Sequence, residues 1–201
     1  MATIAWNGAE FVATDWTRPA WRADLKRHLL EDFFRTEYCQ TTTLATFLEE
    51  YQPVDDNVDG TLDTFHRRHI ISWSNLRRVY VGWANREFNL PRRRNDDPAI
   101  EHYRTIIATV LGHFDKSQLE NSINLVQPGP YRNQAIATVL TGALPNLNSS
   151  RSNLFLGPGR INSAIGENND AATDLPSSVI VGKPHRTLLF AYAAVEQILP
   201  A

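Results

Sequence analysis

The sequence predicts a mainly α domain with a small β element, an α+β arrangement with irregular Pro/Gly-rich loops. Three observations carry that expectation. Apolar residues recur at helical spacing in several separate stretches. Helix-opening residues, either Ser/Thr caps or a Pro in the first turn, precede them. β-branched pairs are short and few, so the sheet is confined to strands around 68–73 and 122–127, with a third at 178–182.

Taken in order, Thr17-Arg18-Pro19 opens a helix to about Tyr38, with Trp21, Leu25, Leu29 and Phe33 forming its core stripe. Thr43 caps a second, short helix that Pro53 stops. VDDNVDG (54–60) is an acidic turn that lacks the distal Glu spacing of a calcium-binding EF-hand. It marks a boundary between an N-terminal helical segment, 1–53, and a catalytic or binding domain, 61–201, unless the two are continuous. Ser74 caps a helix to about Phe88, and PRRRNDDP (91–98) breaks the chain. Pro98 opens an amphipathic helix to Leu111, with Ile100, Tyr103, Ile107, Val110 and Leu111 on one side. A short helix covers 132–140. The last, 184–200, is apolar almost all round, which predicts central burial or a homo-oligomer contact.

Apolar residues make up 42% of the 201 and charged residues 21%, an ordinary globular balance. The single cysteine, Cys39, excludes an internal disulfide framework and a Cys-based zinc site. No apolar run approaches the roughly 20 residues needed to span a bilayer. No signal peptide is visible, so the expected place of synthesis or action is the cytoplasm, with delivery by a specialised secretion system as the alternative. The net charge of −2 hides an asymmetry: residues 1–65 sum to −7, whereas 66–94 carry eight arginines against Glu87, a sum of +7. Such a block is either a phosphate-binding face or the partner of the acidic N-terminal third.

Two loops share one pattern, NLVQPGPYRN (124–133) and NLFLGPGRIN (153–162). As scaffolds they are turns, with Asn capping and Pro fixing φ. As chemistry they supply paired asparagines near HRRHIISWSNL (66–76), where His69 enters a β-branched pair.

RRHIISW together with ENSINLVQPGPYRNQ resembles an HNH, or His-Me finger, nuclease, and is similar to nuclease tails of bacterial polymorphic toxins. The resemblance covers two patches of some ten to fifteen residues. It implies His69 as general base, Asn124 as the residue orienting its loop, and Asn133 as the helix-borne ligand of a divalent metal such as magnesium. It also implies nucleic acid as substrate and a cognate immunity protein as partner. Arg67, Arg68 and Arg132 are candidates for binding phosphate. Arg68 stands where the family carries an acid or a second His for the metal, and a cation there repels one.

Four alternatives follow. The second loop offers Asn153 and Asn162 as the partner of His69. A metal-free route would use His69 and His185, with arginines steadying the phosphorane. Pro184 places His185 in a first helical turn, where backbone N–H groups favour an anion. An NAD- or nucleotide-hydrolysing reading places the ligand in the 153–167 loop, with Arg160 binding phosphate and Glu167 supporting a glycosidic cation. A non-enzymatic oligomeric binding or adaptor protein is the competing class.

Overall fold

The computed structural model describes residues 2–14, 19, 65–89, 97–158, 183–196 and 198. The expected helices at 17–38 and 43–51, the 54–60 turn, the strand at 178–182, and Arg160, Asn162 and Glu167 lie outside them. Within them the chain is mainly α with a small β element, as the sequence predicts.

The chain enters through a hairpin that the sequence reading did not anticipate, β1 (Ile4–Trp6) paired antiparallel with β2 (Phe11–Ala13). The signal was NG at positions 7–8. Asn7 accepts at its side-chain oxygen from the N–H groups of Ala9 and Glu10, both at 2.9 Å, and Gly8 takes a φ of 100°. Ala2, Ile4 and Phe11 enter the same core as the later helices, so the first residues and residues 70–195 share one interior.

β3 (Phe65–His69) pairs antiparallel with β4 (Leu154–Pro158), His69 lying opposite Leu154. The expected strand at 68–73 stops at His69, because Ile70 and Ile71 bend toward a helix. That helix, α1 (Trp73–Glu87), is capped by Ser72, two residues before the expected Ser74: the Ser72 hydroxyl accepts from the N–H of Asn75 at 3.4 Å. α2 (Ile100–Leu111) buries all five residues of its predicted apolar face. Gly112, with φ 79°, turns the chain into α3 (His113–Asn124).

The strand expected at 122–127 is therefore a correction: 122–124 finish α3 and 125–127 form a turn. Leu119 and Ile123, four residues apart, bury one face of that helix, so the period is 3.6 rather than 2. α4 (Arg132–Gly142) and α5 (Leu144–Asn148) lead through one 3₁₀ turn, Arg151–Asn153, into β4. α6 (Lys183–Glu196) packs chiefly on α2, burying Leu188, Ala191, Tyr192 and Val195 while Phe190 stays exposed. It buries one face rather than its whole circumference. Among the described residues no helix is long and apolar enough to cross a membrane.

Close packing of α1 on α2 depends on Gly82. A Cβ there would stand 2.7 Å from Tyr103 Cε1, and Tyr103 is itself buried. Gly82→Leu is expected to cost about 1–3 kcal/mol through overpacking, despite better helix propensity; urea unfolding reads it as a lower midpoint. Farther along α1 the Tyr80 hydroxyl donates to the Leu140 carbonyl at 3.0 Å, fully buried. Burial pushes that phenol well above its usual range. The folded state thus holds the proton more tightly than the unfolded chain. Its stabilising share is full below the free phenol value of about 10 and is lost as pH rises past it. Tyr80→Phe should cost about 1 kcal/mol near neutral pH and remove that alkaline loss, measured by melting at a series of pH values.

Candidate active site

The site grows from an edge-strand problem. After His69 the chain leaves the β3–β4 ladder, and the backbone groups of Ile70 and Ile71 need new partners. Asn153 supplies them. Its carbonyl accepts from the Ile70 N–H at 2.8 Å, and its side-chain oxygen accepts from the Ile71 N–H at 2.7 Å. Its side-chain amide donates to the Ile71 carbonyl at 3.0 Å. One fully buried amide therefore ties both backbone groups of a single residue. The fold uses the same device at the β1–β2 hairpin. The Asn85 amide accepts from the Phe11 N–H and donates to the Phe11 carbonyl, both at 2.8 Å.

With its following residues fixed, His69 is held at the end of β3. Its side chain is 8% exposed, and Nε2 lies 3.3 Å from the carbonyl oxygen of Asn148. A carbonyl accepts only, so the ring donates to it from Nε2. Asn148 is anchored in turn: it is fully buried and its amide donates to the Pro19 carbonyl at 3.0 Å. Ser150, two residues on, donates to the Val110 carbonyl at 2.5 Å and its own carbonyl accepts from the Asn153 N–H at 3.1 Å. The run Asn148-Ser149-Ser150 is thus buried and polar, and its first residue carries the carbonyl that faces His69. The sequence reading missed it; its signal was the five consecutive polar residues 148–152 between Leu147 and Asn153.

Of the two asparagine loops, the second lies beside the histidine: Leu154 pairs with His69 in the β3–β4 ladder, and Asn153 bonds the backbone of Ile70 and Ile71. Asn124 is the exposed last residue of α3, where it lines a groove with Arg132, the first residue of α4. Asn133 follows in the same first turn, half-buried. The two loops also differ in structure. The first is a helix end, a turn and a helix start; the second begins in a 3₁₀ turn and continues as β4.

Arg67 and Arg68 lie in β3, opposite Leu156 and Phe155. His185 lies in the first turn of α6. Elsewhere the arginine block is partly engaged at home: Arg86 pairs with Asp97 at 2.7 Å and stands over the Tyr103 ring at 4.3 Å. Arg77 is buried, its guanidinium 5.9 Å from the centre of the Trp73 ring. Trp73 is itself buried in the core.

Among the described residues no group of three or more His, Cys, Asp or Glu side chains converges as a metal site would require, and the residue before His69 is a cation, Arg68. Comparison with protein-family models, with curated proteins and with solved structures finds no match for this chain.

Proposed function

We propose that this chain is a toxin-like effector domain that hydrolyses phosphodiester bonds of nucleic acid, with His69 as general base. The observation that carries the reading is the Asn153 tie. A buried asparagine fixes the backbone immediately after a histidine at a strand end, and a carbonyl accepts from that histidine's Nε2. A general base works when its proton-accepting atom is aimed, because misplacement by an ångström is costly in rate.

The chemistry follows from those groups. His69 takes a proton from the attacking water as its oxygen bonds to phosphorus. The phosphorus–oxygen bond to the leaving group breaks, and the leaving oxygen takes a proton from solvent. His185 is the alternative acid. Arg67, two residues before His69 in β3 and so at a position on the same strand face, brings the positive charge that a phosphodiester and its pentavalent transition state call for, while Arg68 falls on the other face. No step passes through a metal, so cleavage should persist in excess chelator.

Induced expression of the chain in a bacterial host tests the reading. Growth should stop with wild type and continue with His69→Gln, while DNA or RNA is degraded and NAD is spared. Loss of NAD with intact nucleic acid would replace it with the nucleotide-hydrolase reading. Normal growth with wild-type protein present would favour the binding-protein class.

A further inference from the structure

A groove of about 340 Å³ opens between the end of α1, α3 and the first turn of α4. Ser117, Asn121 and Asn124 of α3 line it, with Glu87, Glu120 and Arg132 as its charged members. The two acids are already matched. Glu87 accepts from Arg104 Nη2 at 3.1 Å, and Lys116 reaches Glu120 at 2.5 Å. Arg132 has no such partner among the described residues, and its Nη1 is buried without an acceptor. A buried donor of this kind is nearly always satisfied in a folded protein. A guanidinium is moreover the group best shaped to bind an oxyanion through two parallel bonds.

From this we infer that the groove binds a phosphate group through Arg132. Asn121, Asn124 and Ser117 add amide and hydroxyl donors from a second helix. α4 also opens at Arg132 with no side-chain cap, so the positive end of its dipole adds to the guanidinium. Donors approaching from two helices suit a tetrahedral anion better than a planar carboxylate. The inference is independent of the reading of His69.

Calorimetric titration of the full chain with inorganic phosphate, at fixed ionic strength, tests it. Saturable one-to-one binding is expected, at least tenfold weaker in Arg132→Gln. Asn124→Asp should show a similar loss, because it sets a carboxylate in the lining. Asn124 is exposed, so this variant decides the matter if Arg132→Gln does not fold. A nucleoside monophosphate binding tenfold tighter than phosphate would make a nucleotide the source of the group, and equal binding would make it free phosphate; both uphold the site. Absence of saturable binding, unchanged affinity in the folded variants, or acetate binding more tightly than phosphate would overturn it.

Discussion

His69→Gln is expected to lower nucleic-acid cleavage by about 10²–10⁴-fold, the usual contribution of a positioned general base. Glutamine is the informative replacement because His69 is buried and its Nε2 faces the Asn148 carbonyl. An alanine would leave a void and an unpaired carbonyl, and would mix lost chemistry with lost stability. The Gln side chain keeps a donor for that carbonyl and has no basic nitrogen. Its melting temperature should therefore stay within a few degrees of wild type while the rate collapses. If the rate falls only in step with the melting temperature, His69 is an architectural residue and the base lies elsewhere.

The second large effect is on stability. Asn153→Ala removes two side-chain bonds and strands the N–H and C=O of Ile71 at a buried position. Each buried backbone group left unpaired costs about 1–3 kcal/mol, so the loss should be about 2–5 kcal/mol in denaturant unfolding. Most domains have only about 5–15 kcal/mol in hand, so this variant should be visibly less stable at growth temperature. Asn153→Asp separates the two bonds. It keeps the acceptor for the Ile71 N–H and sets a carboxylate against the Ile71 carbonyl, so it should also destabilise. A melting temperature unchanged in both variants would mean that the Asn153 amide does not hold this turn.

The helices were legible because burial follows period. All five apolar positions picked from 100–111 are buried, and α4 begins at the expected Arg132. What the sequence hid has two causes. INLV at 123–126 looked like a strand because four residues are too few to separate one period from another, and Leu119 decided it from outside that window. The two asparagine loops looked alike because Asn, Pro and Gly report that the chain turns, not which distant strand it meets. Asn153 reaches Ile71 across 82 residues. Only the pairing of β3 with β4 brings them together, and no local pattern encodes that register. The His69 segment was therefore readable as a candidate, while its partner had two possible positions until the strands were seen paired.

The central claim is that His69, set by Asn153, is the base of a phosphodiester hydrolase. Its most direct test is the fate of end-labelled DNA and RNA incubated with purified wild-type chain and with folded His69→Gln, in buffer containing excess chelator. The account predicts shortened strands with wild type and none above background with the variant. Equal cleavage by the two proteins, or intact strands with both, would contradict it.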